Sequence, residues 1–86
     1  ISRQLLQSGT SVGANIEEAT GAYSRKEFSS KLSISFKEIR ETIYWIKLIK
    51  GTTLEKDDNL DVLMDIALEV KKILSSILLT IKQNNS

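Results

Sequence analysis

The sequence contains no cysteine, no histidine and no proline, and it has only four glycines among its 86 residues. Without cysteine the chain has no disulfide, no thiolate metal ligand and no cysteine nucleophile. Without histidine it lacks the commonest general base and a common metal ligand. Because a serine nucleophile needs an activating base, we expect no enzyme activity, no catalytic residue, no metal site and no cofactor. The absence of cysteine is typical of a cytoplasmic protein.

Long hydrophobic runs are also missing. The longest apolar stretch, residues 73–81, is interrupted by Ser75, Ser76 and Thr80, whereas a helix needs about 20 apolar residues to span a bilayer. We therefore expect no membrane partner. With 41% hydrophobic and 27% charged residues, the composition is that of a folded protein. A core in so short a chain is marginal by itself, so help from another helix or subunit is expected.

Apolar residues recur at helical spacing in three segments, and no segment alternates as a strand does. The pattern predicts an all-α fold, with one domain over residues 1–86 and helices at about 1–22, 24–50 and 59–82. Short connections predict an antiparallel, up-and-down bundle. The apolar stripe of the first segment comprises Ile1, Leu5, Val12, Ile16, Ala19 and Tyr23. The stripe of the third comprises Leu63, Ile66, Val70, Ile73, Ile77 and Ile81.

The second segment has two apolar faces. It opens with Ser24 and Glu27 in the capping-box arrangement, and we expect it to end at Gly51. Its main stripe comprises Phe28, Leu32, Phe36, Ile39, Ile43 and Ile46. Ile34 and Trp45 form a second apolar set far around the helix, which implies a second neighbour. That neighbour is either another subunit or a helix that precedes this segment in the bundle.

Gly9 and Gly13 interrupt the first segment. They indicate either a kink or the close approach of a neighbouring backbone. The apolar stripe keeps its phase across both glycines, which favours one continuous helix. Ile1 is already in that phase with no capping residue before it, so we expect the start of this helix to lie outside the sequence.

Two stretches of the sequence carry recognisable motifs. The first stretch has small residues followed by Ala14, Asn15, Ile16 and Glu18. The second has a glutamate pair, Glu38 and Glu41, before an aromatic turn, and its residues are Phe28, Leu32, Lys37, Glu38, Glu41, Thr42, Tyr44 and Trp45. Both stretches resemble the 23S ribosomal-RNA intervening-sequence proteins, which are four-helix-bundle proteins. The resemblance implies a four-helix bundle whose first helix is absent here and a ring-type homo-oligomer, often a pentamer. It also implies kinship with accessory variability proteins of diversity-generating retroelements, which bind a reverse transcriptase and nucleic acid.

Positive charge is concentrated in the second segment, which contains seven cationic residues and three carboxylates. On a helical wheel one face carries Lys26, Lys37, Arg40 and Lys47, with Tyr44 inside the stripe. Cations that follow phosphates beside an aromatic ring that can stack on a base suit RNA or DNA binding. A solvated face, or one paired with the acidic residues 53–70, is the alternative.

Asn15 and Glu18, like Glu38 and Glu41, are three residues apart beside the apolar stripes. Di-metal sites in helical bundles use a Glu-x-x-His pair, which a chain without histidine cannot supply. We therefore expect these four residues to form a polar network that joins the helices.

Together these observations predict a non-enzymatic homo-oligomeric adaptor that contacts nucleic acid or a nucleic-acid-processing protein. The alternative is a structural interaction module that binds proteins and has no affinity for nucleic acid.

Overall fold

The computed structural model describes residues 2–52 and 57–84. These residues form three α-helices and, within those ranges, no strand. The helices are α1 (Ser2–Thr20), α2 (Arg25–Thr52) and α3 (Asp58–Asn84). Three predicted features fall partly or wholly outside the described residues: Ile1 in the first apolar stripe, residues 53–56 in the acidic stretch, and the last two residues of the tail. The all-α prediction is confirmed.

The middle helix, α2, packs against both of the others, and α1 and α3 do not contact each other within the described residues. The register of α1 on α2 is antiparallel. Ser8 contacts Thr42, Val12 contacts Ser35, and Glu18 contacts Lys31. The Lys50–Asp61 ion pair at 2.6 Å brings the end of α2 to the start of α3. The molecule is 47 Å long, close to the length of about 42 Å that α2 spans at 1.5 Å per residue.

Side chains cap the start of α2 and the start of α3. Ser24 Oγ accepts a hydrogen bond from the Glu27 amide at 3.0 Å, and Glu27 Oε2 accepts one from the Tyr23 amide at 3.4 Å. The first bond is the serine half of the predicted capping box. In the second, Glu27 accepts from Tyr23, the residue before the cap, whereas in a capping box the glutamate accepts from the amide of the cap residue itself. At α3, Asp57 Oδ1 accepts a bond from the Asn59 amide at 2.9 Å. Because the first amides of a helix have no partner within it, these bonds fix where both helices begin.

The core lies along α2. Its buried apolar residues are Val12, Ala19, Leu32, Ile39, Ile43, Ile46, Ala67 and Leu74. Four of the eight belong to α2, and they come from the predicted main stripe. Phe28 and Phe36 of the same stripe are partly buried against this core. The middle helix therefore supplies the centre of the packing, as a helix with a neighbour on each side must.

The glycines agree with the expectations in part: the first segment is one continuous helix, as its apolar stripe favoured, but Gly51 does not end α2. α1 continues through Gly9 and Gly13, so there is no break. A β-carbon at either position would meet nothing within 4 Å, so close approach by a helix of the described chain does not explain them. Gly51, expected to end α2, lies inside the helix, which continues to Thr52. α1 ends at Thr20. Tyr23 therefore lies outside the helix and is not part of the apolar stripe to which the periodicity assigned it.

The expected stripe of α3 coincides only in part with the face that packs on α2. The buried residues of α3 are Ala67 and Leu74, and Met64, Val70, Leu78 and Ile81 are partly buried against the core. Val70 and Ile81 belong to the expected stripe, whereas its other members are exposed, namely Leu63, Ile66, Ile73 and Ile77. The prediction was wrong for these four residues because α3 has two adjacent apolar stripes. The stripe that contains Ala67 allows the closer approach to α2.

Candidate functional site

Four cations lie exposed along one face of α2. They are called the cationic row: Lys26, Lys37, Arg40 and Lys47. Its length from Lys26 to Lys47 is about 32 Å at the helical rise of 1.5 Å per residue. Within the described part of the chain none of the four pairs with a carboxylate. The described acidic residues of α3 therefore form no ion pair with the cationic row.

Two other lysines of α2 contact the neighbouring helices. Lys31 Nζ donates to Glu18 Oε2 at 2.8 Å, and Lys50 Nζ donates to Asp61 Oδ1 at 2.6 Å. The hydrogen bond that Lys31 donates to Glu18, together with the attraction between the two charges, raises the pKa of Lys31 above its ordinary value of 10.5. These two lysines hold the helices together, so they are separate from the cationic row.

Tyr44 lies between the cations of the row and is 56% exposed. The Trp45 ring meets it edge to face, with ring centroids 5.1 Å apart and planes inclined by 69°. Trp45 Nε1 in turn donates to Glu41 Oε1 at 3.3 Å. Edge-to-face contact between aromatic rings is favourable, so the tryptophan orients the tyrosine while the tyrosine ring stays open to solvent.

The second apolar face of α2 is only partly covered. Ile34 is 40% exposed, and Trp45 is half-buried. Neither belongs to the core cluster. This face is therefore available for a neighbour, as the sequence predicted, and the described residues do not supply one.

Of the four polar residues predicted to join the helices, three make contacts within their own helix instead. Asn15 Nδ2 donates within α1 to the Ser11 carbonyl at 2.9 Å. Glu41 accepts from Trp45 within α2, and the Glu38 carbonyl accepts from Thr42. Of the four, Glu18 alone makes a polar side-chain contact to another helix among the described residues, through Lys31.

Small hydroxyl groups make the buried polar contacts between α1 and α2 instead. Ser35 Oγ donates to the Val12 carbonyl at 2.7 Å, and Thr42 Oγ1 donates to Ser8 Oγ at 2.9 Å. Ser8 Oγ donates onward to the Leu5 carbonyl at 3.2 Å. Short hydroxyl side chains fit where two helices pack closely, whereas the longer asparagine and glutamate chains extend to the edges.

Two apolar depressions are lined by residues of α1, α2 and α3; we refer to them together as the α1–α3 groove. At one end it is lined by Ile16, Ala19, Thr20, Phe28, Leu32, Val70, Ile73, Leu74 and Ile77. At the other end it is lined by Leu5, Leu6, Gly9, Thr10, Thr42 and Leu63. The exposed stripe of α3 faces this groove. Large exposed apolar surfaces mark places where another segment or protein binds.

Sequence reasoning placed the uncovered surface on Ile34 and Trp45 and missed the α1–α3 groove. The signal was present, because α3 carries apolar residues around more than half of its circumference. It also missed the serine and threonine contacts, since a hydroxyl on an apolar face is equally typical of a helix that bonds to its own backbone.

Neither a metal site nor a membrane-spanning helix is present in the described ranges. Residues 2–52 and 57–84 contain no cluster of three or more carboxylates placed to hold a metal ion. Over the same residues, no helix combines the length and the apolarity needed to cross a membrane.

The profile of the family described as "23S rRNA-intervening sequence protein" matches residues 1–76. A crystal structure of a Bacteroides thetaiotaomicron protein of unknown function, from the S23 ribosomal protein family, is similar with a TM-score of 0.83 and 43% sequence identity. The match covers 90% of this chain and 71% of that one. Among curated proteins none matches the chain.

Proposed function

Since the chain belongs to the 23S rRNA-intervening sequence protein family, we propose that it is a non-enzymatic adaptor that acts as a homo-oligomer in the cytoplasm and contacts nucleic acid or a protein that processes it. The observation that carries this proposal is the cationic row. Four cations lie exposed on one helix face with no carboxylate partner among the described residues. Lysine and arginine that contact phosphates release condensed counterions, which drives binding.

Tyr44 adds a second kind of contact to the cationic row. Its ring is exposed within the row and is oriented by Trp45. A base can stack on such a ring while the cations on either side contact phosphates. In a ring of several copies the row is repeated, so the positive charge near a bound strand is multiplied.

The proposal includes a fourth helix in the α1–α3 groove, supplied by the same polypeptide. The groove is lined by apolar side chains from all three helices, at the place where a four-helix bundle has its fourth member. The length of the Bacteroides protein supports this arrangement, since the present chain covers 71% of it.

Contacts between copies are assigned to the face that carries Ile34 and Trp45. Both side chains are partly exposed on a different side of α2 from the groove. Tryptophan is enriched at the energetic centres of protein interfaces, and the Glu41 contact already holds the indole in one orientation. The proposed assembly is a closed ring, with five copies as the expected number.

The test is a binding titration by fluorescence anisotropy with structured RNA and with DNA, at low and at physiological salt. The wild-type protein is compared with the double variant Arg40→Gln/Lys47→Gln. The control is Lys72→Gln/Lys82→Gln, which removes the same charge from α3. Loss of two phosphate contacts lowers the magnitude of the salt slope by about 1.5. We expect this reduction for the α2 variant and a wild-type slope for the control.

Absence of binding at low salt would overturn the nucleic-acid part of the proposal, because phosphate contacts strengthen as salt falls. Self-association that is indifferent to salt would then support the alternative, a structural module that binds proteins. Equal loss of slope in both double variants would show that total charge matters and that the cationic row is not a site.

A further inference from the structure

Tyr23 is fully exposed, with 100% of its side chain open to solvent. It lies in residues 21–24, between the end of α1 and the start of α2. Aromatic side chains usually bury a large area. The ring therefore contributes nothing to the described core, and the fold gives no reason for an aromatic residue at this position.

The backbone of Tyr23, in contrast to its ring, is fixed. Its amide donates to Glu27 Oε2 at 3.4 Å, and the Glu27 amide donates to Ser24 Oγ at 3.0 Å. These two bonds therefore hold residue 23 against the first turn of α2, three positions before Lys26. An exposed ring on a held backbone loses little freedom when it binds a flat partner.

A polar depression lies at the same end of α2. It is lined by Arg25, Lys26, Ser29 and Ser30. Lysine, arginine and serine side chains are the usual donors to phosphate oxygens in nucleic-acid complexes. Lys26 is also the first member of the cationic row. Tyr23 is three positions before Lys26 in the chain, and Tyr44 is three positions before Lys47. Each end of the cationic row therefore has an exposed tyrosine three positions away in the chain.

We propose that Tyr23 stacks on an unpaired base of single-stranded nucleic acid whose phosphates follow the cationic row towards Tyr44. The inference rests on the proposed function and adds the class of ligand to it. In a duplex, both faces of each internal base are covered by its neighbours, so an aromatic ring gains nothing. In a single strand, successive bases are free to stack on aromatic side chains.

The experiment measures affinity at low salt for labelled single-stranded RNA, for single-stranded DNA of the same sequence, and for the corresponding duplexes. The proteins are wild type, Tyr23→Ala and Tyr23→Phe. Removal of one stacking ring weakens single-strand binding by about fivefold or more. We expect this loss for Tyr23→Ala, a change of less than about twofold for Tyr23→Phe because the ring remains, and unchanged duplex binding for both. The RNA and DNA arms identify which strand is preferred.

Tyr23→Ala binding that equals wild type on single strands overturns the inference, and salt-dependent binding through the cationic row would still stand in that case. An equal loss on duplex and single strand also overturns it, since stacking on an unpaired base cannot affect a duplex. A lower molar mass for Tyr23→Ala by light scattering shows instead that the ring contacts another subunit. If wild type binds none of the four ligands, this inference and the proposed function fall together.

Discussion

Thr42 Oγ1 lies 2.9 Å from Ser8 Oγ, although the two residues are 34 positions apart in the chain. Both side chains are buried between α1 and α2. Thr42 also approaches the Glu38 carbonyl at 2.8 Å, so its single proton is shared between two acceptors. Ser35, bonded to the Val12 carbonyl, makes the second buried polar contact between these helices. Two short hydroxyl contacts therefore fix how α1 is seated on α2.

Removing either contact is expected to lower stability by a modest amount. Ser8→Ala and Ser35→Ala each remove one buried hydrogen bond between the helices, and Ser8→Ala also removes the bond to the Leu5 carbonyl within α1. Loss of one buried hydrogen bond costs about 1 kcal/mol. Ser33→Ala is the matched control, because Ser33 is exposed and bonds within α2; we expect a change of less than about 0.5 kcal/mol for it. Urea unfolding at one fixed protein concentration measures all three. Equal stability of Ser35→Ala and Ser33→Ala would contradict the assigned role.

The α1–α3 groove is tested by two substitutions at similar exposure. Ile73 lines the groove and is 50% exposed, whereas Leu79 lies outside it and is 57% exposed. If a fourth helix covers the groove, Ile73→Glu buries an unpaired charge and lowers the free energy of unfolding by several kcal/mol, an estimate of about 3 to 5. Leu79→Glu should change it by less than about 0.5 kcal/mol.

The comparison is made by thermal and denaturant unfolding of the full-length protein. Similar small effects of the two substitutions would mean that the groove is open to water in the working protein. A loss for Ile73→Glu that grows as protein concentration rises would mean that another copy, and not a helix of the same chain, covers the groove, because association then stabilises the wild type alone.

Self-association is tested at Trp45. Trp45→Glu places a charge on the helix face that also carries Ile34 and removes the contact with Glu41. We expect the molar mass measured by light scattering to fall towards that of a single chain, while circular dichroism stays helical. Trp45→Phe, which keeps an aromatic ring, should preserve the assembly. An oligomer that survives Trp45→Glu would place the subunit interface elsewhere.

The Glu18–Lys31 ion pair predicts a loss of stability at alkaline pH. Because the folded state raises the pKa of Lys31 above 10.5, the pair stabilises the fold fully below that pH. The contribution is lost as the pH rises through the raised pKa and the ammonium group loses its proton. Wild type should therefore be more stable than Glu18→Gln at neutral pH, and the difference should vanish under strongly alkaline conditions.

Glu17→Gln is the control for this pair, since it makes the same charge change at the neighbouring exposed position. Unfolding by urea across the alkaline range measures the three proteins. A difference between wild type and Glu18→Gln that persists after Lys31 has lost its proton would mean that Glu18 acts through something other than the lysine charge.

The positions of the helices could be predicted from the sequence because they depend on local features. Apolar spacing identified the three segments, and Ser24 with Glu27 identified the start of α2. The seating of α3 could not be predicted, because its two apolar stripes are adjacent and look alike in a periodicity plot. The stripe that contains Ala67 packs on α2, because this small side chain lets α3 approach α2 closely. Ile66 and Ile73 of the other stripe do not allow such a close approach.

The candidate site divides in the same way. The cationic row lies on a different face of the helix from Ile39 and Ile46. The sequence was therefore sufficient to predict that the row is exposed. The polar contacts between helices could not be predicted, because they depend on which side chains meet although they are 23 or more positions apart in the chain. Tyr23 was missed because α1 ends at Thr20, whereas the apolar repeat alone would continue to residue 23.

The central claim is that nucleic acid lies along the cationic row of α2. Lysine acetylation followed by mass spectrometry, with and without bound RNA, measures this directly. The account predicts that RNA protects Lys26, Lys37 and Lys47 from acetylation, while Lys72 and Lys82 on α3 react as fast as in the free protein. Equal protection of all five lysines, or protection confined to α3, would contradict it.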